Sequence, residues 1–282
     1  MSPAAFCVEA AEEWALARAA TLPADPFRLR AMWHVNYVVQ AAPKERKTLY
    51  RMTIAQSATY GRSGGLTPIL HGDGLSLVGR DTRSILTERL WRNIHERVAV
   101  TDSVVAHVSR PPDREIPLDG GPDSKYVART EIFAAEAARI LRRAAKSRSR
   151  GRLRVVTIGA TAGIIGALRR RGLDVSATDL SPAVVGTALA GIRVRNGRAA
   201  NARLMRHADL AIVTGMALMN RTLPGLMALA KKHNTATMIW AITGKNFGHY
   251  YTEHGVDSVI SDPSPFLSLP GPATIAIWRR RN

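Results

Sequence analysis

The sequence predicts an α/β fold of the doubly wound class, a mainly parallel sheet covered by helices on both faces, preceded by a smaller α+β domain. Three observations carry this. From residue 153 onward, short apolar runs alternate with helical segments. The first run ends in a glycine turn, and the second ends in an acid 20 residues later, Gly159 to Asp179. The first 120 residues lack that alternation, and 282 residues suffice for one core of about 200 residues plus a smaller unit.

In chain order, the Ala- and Glu-rich residues 4–20 predict a helix, and 49–80, where apolar pieces alternate with glycine, predict short strands and turns. The spacing of Ile85, Leu86, Leu90, Trp91, Ile94 and Val98 predicts an amphipathic helix over 84–98, followed by an apolar run at 103–108. The stretch RPPDREIPLDGGPDSK, 110–125, is too rich in Pro, Gly and Asp for a regular element and reads as the hinge of the molecule. Phe133, Ala137, Ile140 and Leu141 then share one face of a helix over 126–145. These readings divide the chain into an N-terminal domain (1–120), a connecting helix (121–150) and a ligand-binding domain (151–282).

In the last of these, strands are expected at 153–159, 174–180, 192–194, 209–215, 236–242, 256–261 and 274–278. Helices are expected between most of them, at 162–171, 182–190, 199–207, 222–232 and 246–254. Continuous apolar runs bounded by helices are the pattern of strands buried on both faces.

Lys and Arg number 40 against 22 Asp and Glu, a formal charge of +18. The basic clusters, 44–47, 146–154, 169–171, 193–198 and 279–281, are scattered, and only 6% of residues are aromatic. Stacking platforms for single strands are therefore poorly supplied, and nucleic acid is not the expected partner. The single cysteine, Cys7, excludes a disulfide framework and a Cys-based zinc site and fits a reducing, cytoplasmic location. No apolar run reaches the roughly 18 residues of a membrane span. An apolar dimer surface carrying Trp14, Trp33 and Trp91 is a candidate in the N-terminal half.

The phrase VVTIGATAGIIGALRRRGLDVSATDLSP, 155–182, runs an apolar strand into Gly159, Ala160, Thr161 and Gly163, starts a helix, and ends a second strand at Asp179 and Leu180. In a nucleotide-binding βαβ unit, glycines admit the ligand to the backbone and the acid accepts from ribose hydroxyls. The G-x-x-x-G spacing is looser than the dinucleotide fingerprint and favours a ligand without a pyrophosphate. A second phrase, HADLAIVTGMALMNRTLP, 207–224, delivers Thr214, Gly215 and Asn220 to the carboxyl edge of the sheet. Asn220 either orients a polar ligand group or, with Thr222, caps the following helix.

The first phrase resembles motif I and the second-strand acid of class I methyltransferases, which implies S-adenosylmethionine as cofactor. The runs ADLAIVTGMALMNRTLPGLMALAKK, ITGKNF and HGVDSVISDP resemble the Rossmann-like half of a domain family of unknown function named for heavy-metal chelation. That resemblance covers roughly 153–265, and it implies an N-terminal unit similar to that of enolase, to which 45–110 could correspond. The chain departs from the family at T243-G-K-N, where members have a Gly-Pro turn, and in DLSP after the second strand. The eight histidines form no H-x-x-x-H or H-E-x-x-H array, so no metal ligands are assigned.

A sulfonium cofactor arrives activated, so alignment and charge are what the protein must supply. The expected function is an S-adenosylmethionine-binding enzyme acting on a small molecule. It works by methyl transfer or by reaction of the aminocarboxypropyl arm, including closure to azetidine-2-carboxylate with release of methylthioadenosine. The opposite wall is assigned to LDGGPDSKYVARTE, where Lys125 faces the cofactor carboxylate and Tyr126, with Asn220, serves the reacting centre. Tyr60 in TYGRSGG is a second such tyrosine. The alternatives are a non-catalytic protein for metal chelates and a basic nucleic-acid binder.

Overall fold

A computed structural model describes residues 2–39, 48–65, 74–145, 152–263 and 271–281. The basic cluster 44–47, most of 146–154 and His71 lie outside them.

The N-terminal part comprises α1 (Val8–Ala19), β1 (Ala31–Val39), β2 (Thr48–Gln56), β3 (Tyr60–Gly65), α2 (Thr82–Thr87) and α3 (Ile94–Val108). The three strands form an antiparallel sheet in chain order, with Met32 opposite Ala55 and Ile54 opposite Arg62. Helix α3 is almost entirely buried between this sheet and α1.

The helix expected over 84–98 is two helices. Arg89 takes a left-handed φ of 55°, and Asn93 starts α3 afresh by accepting from the Glu96 N–H (3.0 Å), while Glu96 accepts from the Arg92 N–H (2.8 Å). This reciprocal cap outweighs the apolar spacing that runs through it. The apolar run at 103–108 belongs to α3.

The segment 110–125 is a second correction. It holds a regular strand, β4 (Arg114–Leu118), and α4 (Pro122–Ala145) begins within it, with proline at the first helical position. There follow β5 (Arg154–Ile158), α5 (Ala162–Arg170), β6 (Asp174–Asp179), β7 (Ala188–Leu189), β8 (Ile192–Arg193), β9 (Arg195–Asn196), α6 (Gly197–His207), β10 (Leu210–Thr214), α7 (Met216–Met219), α8 (Leu223–His233), β11 (Ala236–Ala241), α9 (Gly248–Glu253), β12 (Ser258–Ser261) and β13 (Ala273–Arg279). The expected helix at 182–190 is instead a turn and the β7–β8 hairpin. Ala190 and Gly191 both have positive φ, 47° and 76°, as a two-residue hairpin turn requires.

Among the described residues the large sheet has eight strands in the order β4-β13-β12-β11-β10-β5-β6-β9. Those from β12 to β9 run parallel, whereas β13 is antiparallel to both β12 and β4. The order reverses between β5 and β10, the point at which an open sheet leaves a crevice outside its carboxyl ends.

Side chains alternate across the sheet. Val156, Val213, Ile239 and Val259 join one core with Phe6, α1, α3, α8 and α9, while Val155, Ile212, Met238 and Ile260 join a second with α4 and α5. The first core spans both sides of residue 120 without a break.

Tryptophans expected on a dimer surface are partly used within the chain. Trp14 donates to Glu253 Oε2 (2.9 Å) and packs edge-on against Tyr250, and Trp91 lies under the Arg97 guanidinium. Trp33 is exposed and stacks on Tyr60 at 6.4 Å. No helix among the described residues is long and apolar enough to cross a membrane.

Candidate functional site at the carboxyl edge

Strand β5 runs straight into Gly159, whose φ of +95° and tight fit admit no side chain: a Cβ would stand 2.6 Å from Thr214 Cγ2. The turn is tied down by Asp179 at the end of β6. Its Oδ2 accepts from the Ala160 N–H (2.9 Å) and its Oδ1 from the Ser181 N–H (2.8 Å). The acid therefore binds both loops together, which spacing alone did not reveal. Thr161 occupies the N-cap position of α5, and Leu180 packs near Gly197 at the start of α6.

Tyr126, on the first turns of α4, reaches this turn. A Cβ on Gly163 would lie 2.6 Å from the Tyr126 hydroxyl, so the bare backbone of α5 is what lets the phenol in. Lys125 points elsewhere. It is fully buried and its Nζ donates to the Gly271 carbonyl (3.0 Å). Thr214 packs against Gly159, and the Gly215 N–H donates to the Trp240 carbonyl (2.6 Å). Asn220 is exposed, and its Oδ1 accepts from Thr222 Oγ1 (2.6 Å) and the Thr222 N–H (3.2 Å), the turn preceding α8. Tyr60 is 46% exposed on β3, with its ring against Trp33.

The same edge carries a second cluster, centred on the turn after β11 where the N-terminal sheet docks. Gly244 N–H donates to the Arg62 carbonyl (3.0 Å) and Asn246 Nδ2 to the Tyr60 carbonyl (2.7 Å). Asp102, buried on α3, accepts from the backbone N–H groups of Arg62 (2.7 Å) and Asn246 (2.8 Å). Burial raises its pKa to about 7 despite those bonds and the nearby Lys245 and Arg62 charges. Burial, and after it the Arg62 charge, lower Lys245 to about 8. Arg62 is itself shifted down by burial.

Asp262, just past β12, is buried and accepts from Arg129 Nε (2.6 Å) and Trp240 Nε1 (2.6 Å). Arg129 lies over the rings of Trp240 (5.1 Å) and Tyr126 (5.6 Å). Helix α4 thus connects the glycine turn, through Tyr126, to the charged cluster, through Arg129. Arg62, Asp102, Arg129, Lys245 and Asp262 were not singled out by sequence. Arg62 and Lys245 nevertheless sit in TYGRSGG and in T243-G-K-N, the latter marked as a departure from the resembled family.

Among the described residues no three His, Cys, Asp or Glu side chains are grouped so as to hold a metal ion. Several members of the basic clusters are in ion pairs, Arg170 and Arg171 with Glu131 and Arg280 with Asp257.

Residues 145–241 match the profile of DUF364, the family described as "Putative heavy-metal chelation". No curated protein matches the chain in sequence. Among solved structures, a DUF364-family protein of unknown function from Desulfitobacterium hafniense DCB-2 is 12% identical, with a TM-score of 0.50 over 95% of this chain and 98% of that one. Another DUF364-family protein, from Pyrococcus horikoshii, is 12% identical with a TM-score of 0.48 over 89% of this chain and 84% of that one. The chain is an α/β protein, similar in fold to a DUF364 structure along nearly its whole length and matching that family in sequence over 145–241.

Proposed function

We propose that this is an S-adenosylmethionine-binding enzyme acting on a small molecule, with a Rossmann-like cofactor crevice between β5 and β10. The observation that supports it best is the coupling of Gly159 and Asp179. A turn opened by a glycine with positive φ stands beside a half-buried carboxylate at the end of the neighbouring strand, where the strand order reverses. A carboxylate offers about four acceptor positions. Two are taken by backbone N–H groups, which leaves the others for ribose hydroxyls.

When bound, the cofactor supplies a sulfonium that makes carbon a ready electrophile. The chain's own part is to orient and to exclude water. Asp179 holds both loops in place, Gly159 and Gly163 let the Thr214 and Tyr126 side chains close against the turn, and Tyr126 offers a hydroxyl and a ring face at the start of α5. Asn220, already bonded to Thr222, is better suited to shaping that loop than to touching substrate.

Isothermal titration with S-adenosylmethionine, S-adenosylhomocysteine and NAD tests the reading, followed by mass spectrometry of the incubated mixture. Binding of the first two but not NAD is expected. S-adenosylhomocysteine as product means methyl transfer, and methylthioadenosine means that the aminocarboxypropyl arm reacted. No binding of either sulfur compound overturns the proposal. A second reading, a non-catalytic protein for metal chelates, is supported by the family match at 145–241. It predicts a metal-dependent rise in melting temperature with no nucleotide present.

A further inference from the structure

A cavity of about 240 Å³ opens at the β12 end of the carboxyl edge, lined by Arg62, Lys245, Ser261, Asp262 and Thr274 among others. Its two cations come from distant parts of the chain. Arg62 is on β3 and 8% exposed; Lys245 is in the turn after β11.

Around it, among the described residues, three cations (Arg62, Arg129, Lys245) face two carboxylates (Asp102, Asp262). Asp262 is engaged by Arg129 and Trp240, and Asp102 by two backbone N–H groups and the Asn246 amide. Collecting like charges out of water is costly unless a counter-charge joins them. Burial, and after it the neighbouring Arg62 charge, lower the Lys245 pKa to about 8, against the opposing pull of Asp102.

We propose that this cavity binds a small monocarboxylic acid, its carboxylate held between Arg62 and Lys245. The guanidinium fork matches a carboxylate in two parallel bonds, and Lys245 adds a point charge. With both carboxylates ionised the excess is a single positive charge, and Asp262 on the same wall opposes a dianion. The volume lies below the roughly 300–1,000 Å³ of drug-sized sites, so the ligand is of about amino-acid size. Ser261 and Thr274 supply hydroxyls for a second polar group. As the acceptor's place, the site rests on the enzyme reading above, with α4 linking it to the glycine turn through Arg129 and Tyr126. As a binding site, it does not depend on that reading.

The test uses the full chain at neutral pH without S-adenosylmethionine, titrated by ligand-observed NMR with sodium propionate, neutral propionamide and inorganic phosphate. Propionate is expected to bind and propionamide not to. Removing one partner of a buried charged contact should weaken propionate at least about tenfold, in Arg62→Gln and independently in Lys245→Gln. S-adenosylmethionine is titrated separately into the same proteins. Equal responses to propionate and propionamide overturn the proposal, as do undiminished propionate binding in both folded variants and a preference for phosphate. Propionate binding without S-adenosylmethionine binding leaves this inference standing and removes the cofactor reading; the converse removes only this one.

Discussion

The glycine turn and the basic cavity stand on one edge of one sheet, yet they are made from different materials. The turn is backbone: a positive φ, an absent Cβ, and N–H groups gathered by Asp179. The cavity is side chain: buried charges brought from β3, α3, α4 and the loops after β11 and β12. A backbone site is specified within some 20 residues of sequence, whereas a charged site requires the whole fold to bring its groups together. The first should therefore fail through strain and the second through uncompensated charge.

The largest effect is expected at the charged end. Asp262→Ala leaves Arg129 buried without its carboxylate and should cost about 3–5 kcal/mol in urea unfolding. A loss below about 1 kcal/mol would mean that this pair does not organise the cavity. Next comes Gly159→Ala, which combines a left-handed φ with a Cβ 2.6 Å from Thr214 Cγ2 and should cost about 3 kcal/mol. Adding Thr214→Ala removes Cγ2 but leaves Cβ at 2.8 Å, so it should restore only part of the steric share and leave the φ share; no restoration would mean that the Cγ2 contact carries little of the cost. Smaller still is Asp179→Ala, which orphans two N–H groups at the price of about 1–3 kcal/mol and should abolish S-adenosylmethionine binding in the folded remainder. Unchanged affinity in that calorimetric titration would separate the turn from any cofactor.

The gentlest probe is pH. As pH rises from about 6 to about 9, Asp102 loses its proton near 7 and Lys245 near 8, each step removing one positive unit from the surroundings of a cavity lined by Arg62 and by Asp262, the latter paired with Arg129. Propionate affinity should fall severalfold across that window, while S-adenosylmethionine affinity, set by backbone and Asp179, stays flat. A parallel decline of the two would argue that the ends share one ligand.

The strands β5, β10 and β11 were legible because nearly continuous apolar runs bounded by helices leave little else for the chain to do. The readings that failed are ones where a local device overrode the pattern. The Asn93 cap split one apolar stripe, the Ala190-Gly191 turn converted a presumed helix into a hairpin, and Ile116 and Leu118 formed a strand despite the prolines around them. At the site, Gly159, Gly163 and Asp179 could be found by spacing. Arg62, Asp102 and Lys245 could not, since 40 residues separate the first two and another 143 the third. Lys125 shows the reverse error: a lysine at a promising loop is spent on the Gly271 carbonyl.

One consequence of the sheet order concerns the birth of the molecule. Strand β4 is synthesised before α4, but its partner β13 comes only at residue 273, and β13 is clasped by β12 on its other side. Throughout the emergence of the intervening residues, β4 presents an open row of amides and carbonyls to whatever else is in the ribosome's vicinity. Such long-range pairing is slow to form. The charged side chains Arg114 and Glu115, exposed on opposite faces of REIPL, read as protection for a nascent chain that must wait for its last seam to close.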